Sequence, residues 1–432
     1  MKKLFNKFIA SLLCVLLVFS VFSMFGCSAE ADLRVYNCYD YIDEQLIEDF
    51  EDYYQEKTGK KIKVEYSCYD TPEDLYNQLK INSGAYDLVC PSDYMIEKMA
   101  RENMLQQISM PQESNYVKNL SPYIKSVFES ISWGNNNEYN LSQYAIGYMW
   151  GTLGLVYNAN KVSDNDMKSW SALWNTNSTF SIKDSVRDTY FVSLAKHYSA
   201  ELEAKKLQYL NGEITLNDYS AFLKAKFNDT SASTVSAIGS SLSVLKNKSN
   251  CFGMEVDSGK DDIIKGDIDI YFAWSGDAVY AISEAQNSGV QLKYSVPEEG
   301  SNSWFDGWCV PSGAKNKDLA IEFADFLSRP DNVIKNMEYI GYVSCIAGDE
   351  IFNWAKDTYG TNEQGTQVNL DYFFKGANDN STYSITVDAS TYNVLTAQYP
   401  TKDIIDRCVV MNYYNDDANS RIMDMWASIK TN

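Results

Sequence analysis

Three short runs near the beginning of the chain decide the fold: LRVY at 33–36, KIKVEY at 61–66 and YDLVC at 86–90. Each has the alternating or clustered apolar residues of a β-strand, and each is followed by a stretch with helical spacing. This order of strand and helix, repeated three times with short connections, predicts a parallel sheet covered by helices. We therefore expect an α/β fold.

Polar and aromatic residues follow two of these predicted strands, at 37–41 and at 91–94. In sheets of this kind, ligands bind at the carboxyl ends of the strands. No Gly-x-Gly-x-x-Gly motif follows the first strand, and the sequence contains no Walker loop, so nucleotide binding is not supported. The two turns are instead candidates for binding a small molecule.

The middle of the chain predicts a second domain. Residues 144–157 are apolar, extended and punctuated by glycine, which is typical of a strand that crosses between domains. Residues 189–225 have helical patterns. The segment 228–250 is rich in Ser, Thr and Asn, and we expect it at the surface.

The segment 300–311 contains Trp304-Phe305-Asp306 between Gly300 and Pro311. Glycine and proline suggest a backbone fixed by turns, on which two aromatic faces stand beside one carboxylate. Aromatic faces attract cations, and a carboxylate adds charge-assisted hydrogen bonds, so this pattern favours an organic cation with an apolar stem. The alternative is that both aromatic residues belong to the core and that Asp306 caps a turn.

An acid beside an aromatic residue recurs at several predicted strand ends, and this recurrence favours the binding interpretation. The positions are 39–41, 92–94, 184–190, 274–277 and 304–306.

Composition excludes several functions. The net charge of −21 over 432 residues argues against a nucleic-acid partner, which would require basic patches. His197 is the single histidine, so Ser–His catalysis and multi-histidine metal sites would depend on this one residue. It lies in an apparent helix, and we interpret it as a helix-surface residue.

The N-terminus has the features of an export signal. A basic start is followed by an apolar run over 8–25 and then by Gly26-Cys27. We predict a signal peptide at 1–26 and lipidation of Cys27, which would hold the protein on the outer side of the cytoplasmic membrane. The other seven mature cysteines form no Cys-x-x-Cys pair, so neither a zinc ribbon nor a clear disulfide framework is indicated.

Five runs match one known family in order along nearly the whole mature chain: 36–41, 84–94, 273–276, 304–306 and 340–342. They resemble the spermidine/putrescine-binding proteins of bacterial ABC polyamine transporters. The resemblance implies a two-lobed periplasmic-binding-protein fold of type II, with a polyamine bound in the cleft between the lobes. It also implies a monomeric binding protein that delivers its ligand to an ABC permease and is not an enzyme, without cofactor or metal.

The family pattern further implies the lobes and the ligand contacts. Lobe 1 would comprise 33–147 and about 305–350, and lobe 2 about 148–304 and 351–432. The implied polyamine contacts are Asp40, Tyr41, Ser92, Tyr94, Asp188, Trp274, Trp304, Asp306 and Tyr342. The chain departs from the family pattern at or beside four further candidate positions, Cys38, Tyr39, Asp184 and Ser185, which leaves the length of the ligand open.

Three other functions remain open on the residues alone. The protein could be a receptor for another small solute, including iron held by paired tyrosines. A polyamine sensor that signals to a membrane partner would have the same sequence features. A secreted hydrolase could use two of the acids as a general acid and base.

Overall fold

A computed structural model describes residues 31–256, 258–286, 289–376 and 382–431. The predicted signal peptide and Cys27 lie outside these residues. The strands of the described chain are β1 (Leu33–Cys38), β2 (Val64–Tyr69), β3 (Leu88–Val89), β4 (Ser132–Trp133), β5 (Tyr139–Asn140), β6 (Ile146–Asn158), β7 (Phe180–Lys183), β8 (Cys251–Glu255), β9 (Ile270–Trp274), β10 (Leu292–Ser295), β11 (Ser301–Trp308), β12 (Val343–Ser344), β13 (Thr366–Asn369), β14 (Ser384–Val387) and β15 (Cys408–Val409).

Helices occupy most of the remaining chain. They are α1 (Gln45–Thr58), α2 (Pro72–Ile81), α3 (Asp93–Arg101), α4 (Asn115–Asn119), α5 (Pro122–Ser130), α6 (Ala172–Asn175), α7 (Val186–His197), α8 (Ser199–Leu210), α9 (Leu216–Phe227), α10 (Ala232–Lys246), α11 (Gly259–Lys265), α12 (Ser275–Ala285), α13 (Lys317–Leu327), α14 (Pro330–Ile340), α15 (Asp349–Tyr359), α16 (Asp371–Phe374), α17 (Ala389–Gln398), α18 (Lys402–Ile405) and α19 (Asp416–Thr431).

The parallel arrangement predicted for the first three strands is confirmed. Strand β1 lies between β2 and β3 and pairs with both in parallel. Local signals define the connecting helices: α2 begins at Pro72, behind a capping box in which the Thr71 and Asp74 side chains each accept the other's backbone N–H. Helix α1 ends at Gly59, whose left-handed backbone favours glycine.

A second sheet is built around β6, the predicted crossing strand. All 13 of its residues are buried. Its first half pairs with β11 and β12, and its second half pairs with β9 and β10. The first sheet meets this one at β3, where Val89 and Cys309 exchange backbone hydrogen bonds of 2.9 and 2.7 Å.

One expectation drawn from local composition is wrong. The segment around Trp304 is strand β11 and not a series of turns, because each residue from Ser303 to Phe305 pairs with β6 and the strand is buried along its length. The Ser-rich segment 228–250 lies at the surface, as expected, and contains helix α10, whose buried face includes Ile238 and Leu242.

The expectation for His197 holds. His197 is the last residue of α7 and is exposed. Cys90, Cys309 and Cys345 are buried free thiols that pack as small apolar residues. Within the described ranges, no helix combines the length and the apolar character needed to cross a bilayer.

Candidate functional site

Trp304 and Phe305 of strand β11 lie on opposite faces of the sheet, because successive side chains of a strand point to opposite faces. Phe305 packs on the core side, with its ring centroid 6.0 Å from that of Trp150. Trp304 packs edge-on against Tyr342 on the other side, at 5.6 Å between centroids. Phe305 is therefore a core residue, whereas Trp304 and Asp306 border the candidate site and remain predicted contacts.

Asp306 is a buried carboxylate with an incomplete set of partners. Its Oδ2 accepts the hydroxyl of Tyr41 at 2.6 Å, whereas its Oδ1 is buried and has no hydrogen-bond partner among the described residues. Burial raises the pKa of Asp306 to about 6, although the side chains of Tyr41 and Ser92 oppose this shift. At neutral pH the group carries a charge that a cation would compensate.

Four aromatic rings form a continuous group beside Asp306. Tyr41 stands edge-on to Tyr148 and to Tyr342, with centroids 5.4 and 5.2 Å apart and nearly perpendicular planes. Tyr342 continues the group to Trp304. Edge-to-face contacts of this kind fix the orientation of each ring relative to its neighbours.

Two glycines make this packing possible. A Cβ atom at Gly151 would lie 2.6 Å from the ring of Trp304, and one at Gly276 would collide with the ring of Tyr342. Atoms of real side chains do not approach so closely, so a larger residue at either glycine would displace the ring of Trp304 or of Tyr342.

Trp274 and Asp188 form the opposite end of the site. Trp274 is the last residue of β9, and its indole N–H donates to Asp188 Oδ2 at 3.1 Å. Burial raises the pKa of Asp188, while the nearby Lys183 ammonium and the Ser185 side chain lower it.

A lysine lies directly against Trp274. Lys183 ends β7 and is fully buried, and its Nζ is 3.3 Å from the centre of the indole ring. The same ammonium lies 3.6 Å from Asp277 and donates to the carbonyl of Val256 at 3.0 Å.

Asp277 connects this end of the site to the aromatic group. Its Oδ1 accepts the hydroxyl of Tyr342 at 2.8 Å, and its Oδ2 accepts that of Tyr271 at 3.2 Å. Tyr342 therefore touches both Tyr41, which binds Asp306, and the carboxylate that pairs with Lys183.

Tyr94 lies at the edge of the site, in a stack with an arginine. The Arg187 guanidinium lies between the rings of Tyr94 and Tyr414, 3.9 and 3.8 Å from their centres. The Tyr94 hydroxyl donates to Glu73 at 3.2 Å. A cavity of about 140 Å³ opens beside this stack and is lined by all four residues.

A sequence model of the bacterial extracellular solute-binding proteins matches residues 45–348. The protein belongs to this family. Members of the family bind solutes outside the cytoplasm, which agrees with the predicted class of binding protein.

Several curated relatives of this solute-binding protein are named as polyamine-binding proteins. The spermidine/putrescine-binding periplasmic protein of Salmonella typhimurium is 29% identical over 314 residues, which cover 72% of this chain and 76% of that protein. The putrescine-binding periplasmic protein PotF of Escherichia coli is 28% identical over 319 residues, with 72% and 77% covered.

A solved structure shares the fold. The spermidine/putrescine ABC transporter substrate-binding protein PotD of Streptococcus pneumoniae aligns with a TM-score of 0.60 at 23% identity, over 93% of this chain and 99% of that one. The solute-binding protein thus has the predicted two-lobed fold of the type II periplasmic binding proteins.

Not every predicted contact lies in the buried group. Asp40 is exposed, with 86% of its side-chain surface accessible, and it lies 3.9 Å from Lys260. Tyr39 is also exposed, and Cys38 is half-buried at the end of β1. Asp40 and Tyr39 could reach a ligand only from the solvent edge of the cleft.

Two further candidates serve other contacts. Asp184 accepts the ammonium of Lys430 at 2.8 Å, at the surface. Ser185 caps α7, where its hydroxyl accepts the backbone N–H of Asp188 at 3.4 Å. Ser185 therefore stabilises the first turn of α7, which carries Asp188.

Sequence reasoning missed Lys183, Arg187 and Tyr271 as members of the site. A lysine or arginine beside an acidic turn is normally a solvated surface residue, so no local signal marked them. Asp277 stood in a recognised acid–aromatic turn but was not selected as a contact. Its position, two residues after the predicted strand end at Trp274-Ser275, could have identified it as a candidate contact.

Proposed function

We propose that this solute-binding protein captures a polyamine, putrescine or spermidine, outside the cytoplasm and delivers it to an ABC permease. The observation that carries the proposal is Asp306, a buried carboxylate near the rings of Trp304 and Tyr342, one oxygen of which has no partner among the described residues. The names of the curated relatives support the same ligand class.

The chemistry of the site suits an alkylammonium ion. Burying an ammonium is costly unless a carboxylate pairs with it, and Asp306 and Asp188 would supply such partners at two ends of the site. The methylene groups between the amines would lie against aromatic faces, which also attract the charge by roughly 0.5–2 kcal/mol each. The proposed contacts are Tyr41, Ser92, Tyr94, Asp188, Trp274, Trp304, Asp306 and Tyr342, with Asp40, Cys38, Tyr39, Asp184 and Ser185 as outer or supporting residues.

We assign residues 33–147 and about 305–350 to lobe 1, and about 148–304 and 351–432 to lobe 2. Strands β6 and β11 run across the proposed boundary and pair with each other there, near Gly147 and Phe305. Closure of the lobes would expel water from the site and strengthen its ion pairs.

Export and anchoring are part of the proposal. A signal peptide at 1–26 and a lipid on Cys27 would hold a monomeric receptor at the outer face of the cytoplasmic membrane, close to its permease. A sensor that signals to a membrane partner would share this arrangement, and the presence of permease and ATPase genes beside its own would separate the two roles.

Titration calorimetry of the protein truncated before Cys27 tests the ligand class. We expect saturable binding of putrescine or spermidine and no heat from a neutral diol of matched length, because the diol carries no charge for Asp306. If neither amine binds, the polyamine proposal is wrong and another solute must be sought. If an amine is chemically altered during the titration, an enzyme is indicated.

A further inference from the structure

Lys183 places a positive charge of the protein itself inside the site. It lies on the face of Trp274, at 3.3 Å from the ring centre, which is well within the range of a cation–π contact. It is also fully buried and lies 3.6 Å from Asp277. An ammonium held between an indole face and a carboxylate is the arrangement that a bound amine would have.

The carboxylates that border the aromatic group are therefore not equivalent. Asp277 already faces the Lys183 ammonium and accepts two tyrosine hydroxyls. Neither Asp306 nor Asp188 forms a salt bridge within 4.0 Å among the described residues; Asp188 accepts the N–H of Trp274 and lies near enough to Lys183 for its pKa to be lowered by that ammonium. Two carboxylates, Asp306 and Asp188, are left to receive ammonium groups from a ligand.

The same lysine disfavours an additional ligand ammonium at Trp274. If a ligand approached the face that Lys183 covers, the two ammonium groups would compete for one position. If it approached the opposite face, the ligand ammonium and the Lys183 ammonium would lie on the two faces of one ring. They would be less than about 10 Å apart, because a cation–π contact extends to about 6 Å from the ring centroid. Like charges at that distance repel in a site shielded from solvent.

We propose that Lys183 is a specificity-determining residue that fills one cation position of the site and thereby restricts the ligand to a diamine. This inference rests on the proposed polyamine function and names its substrate class. A diamine such as putrescine has one ammonium for each of Asp306 and Asp188. The third ammonium of a triamine such as spermidine would need Asp277, which Lys183 already occupies.

The wild-type protein provides the first test, by calorimetric titration with putrescine and with spermidine under the same conditions. We expect putrescine to bind at least tenfold more tightly. Equal affinities, or tighter binding of spermidine, overturn the role of Lys183 but leave polyamine binding intact. Binding of neither amine overturns both proposals.

The variant Lys183→Met tests the cause. Methionine keeps most of the length of the side chain and removes its charge, so Asp277 and the face of Trp274 become available to a third amine. We expect the ratio of spermidine to putrescine affinity to rise at least tenfold relative to the wild type. An unchanged ratio in the folded variant contradicts the proposal.

A double variant covers the case in which Lys183→Met fails to fold. Lys183→Met/Asp277→Asn removes both charges of the pair and retains an acceptor for the tyrosine hydroxyls, and we expect it to reduce the preference for putrescine at least threefold. Lys196→Met is the matched control, because Lys196 lies 5.0 Å from the ring of Trp174, outside the site. A double variant that keeps the wild-type ratio, or a control that changes it, overturns the proposal.

Discussion

Asp306 and Asp277 are two buried aspartates at opposite ends of one aromatic group, and each accepts a tyrosine hydroxyl. They differ in what stands beside the remaining charge. Asp277 has the ammonium of Lys183 at 3.6 Å, whereas one oxygen of Asp306 is buried without a partner among the described residues. Burial and hydroxyl contacts alone do not distinguish a structural carboxylate from a binding one; the presence of a cation does.

The difference has opposite consequences for the empty protein. The Lys183–Asp277 pair is satisfied, so removing one partner leaves the other charge buried without its ion pair. The charge of Asp306 destabilises the empty folded state, and a bound ammonium would relieve that penalty. Substitutions at the two aspartates should therefore change different properties of the protein.

The largest effect is expected on folding, from Asp277→Asn. This change leaves the Lys183 ammonium buried without the carboxylate at 3.6 Å, which we expect to lower the free energy of unfolding by about 3 kcal/mol. Urea denaturation monitored by circular dichroism measures the loss. Asp306→Asn is the control and should not be destabilised; a loss of equal size in both variants would remove the distinction between the two carboxylates.

The next effect concerns binding, from Asp306→Asn. The amide is nearly isosteric but carries no charge for an ammonium, so we expect amine affinity to fall at least tenfold, which corresponds to about 1.4 kcal/mol. Calorimetry with the preferred amine gives the affinity, and a thermal melt checks that the fold is retained. Near-normal affinity would exclude Asp306 from the site.

A third effect depends on pH. Burial raises the pKa of Asp306 from 3.8 to about 6, so between these values the folded state holds the proton more tightly than the unfolded chain. The stability of the empty protein should therefore fall as the pH rises through this window. Amine binding requires the ionised carboxylate, so affinity should decrease below about pH 6, by up to about tenfold per pH unit.

Calorimetry at about pH 7.5 and pH 5 measures this dependence. The raised pKa of Asp188 acts in the same direction, so Asp306→Asn should weaken the dependence without abolishing it. An affinity that stays constant between these two pH values would mean that neither carboxylate changes ionisation when the amine binds.

The smallest effect is expected at Asp40, a predicted contact that the structure leaves exposed. Its ion pair with Lys260 is 3.9 Å long and open to solvent, and such pairs contribute little. We expect Asp40→Asn to change amine affinity by less than about twofold, that is by less than roughly 0.5 kcal/mol. A tenfold loss in the same titration would show that Asp40 moves into the site when the ligand binds.

Local patterns predicted the features that depend on nearby residues. The order of strands and helices over residues 33–104 predicted the parallel sheet, and the acid–aromatic pattern selected Trp304, Asp306 and Trp274 as candidate contacts. The pattern could not separate Phe305 from Trp304, because strand alternation assigns them to opposite faces only once the segment is known to be a strand. Glycine and proline in the segment suggested turns instead.

The features that were missed depend on contacts between distant parts of the chain. Lys183 is buried because Trp274, the last residue of β9, and Asp277, in the first turn of α12, pack against it. Arg187 is enclosed only because Tyr94 and Tyr414 approach from two other segments. Helix α10 was missed for another reason: its Ser and Thr residues masked a helical stripe of apolar side chains.

Strand β6 joins both halves of the second sheet, because β11 and β12 pair with its first half and β9 and β10 pair with its second half. A chain divided at this strand would leave unpaired N–H and C=O groups along a buried, apolar edge in each fragment. We therefore expect the two halves of this sheet to unfold together, so that neither half can be exchanged without rebuilding the other.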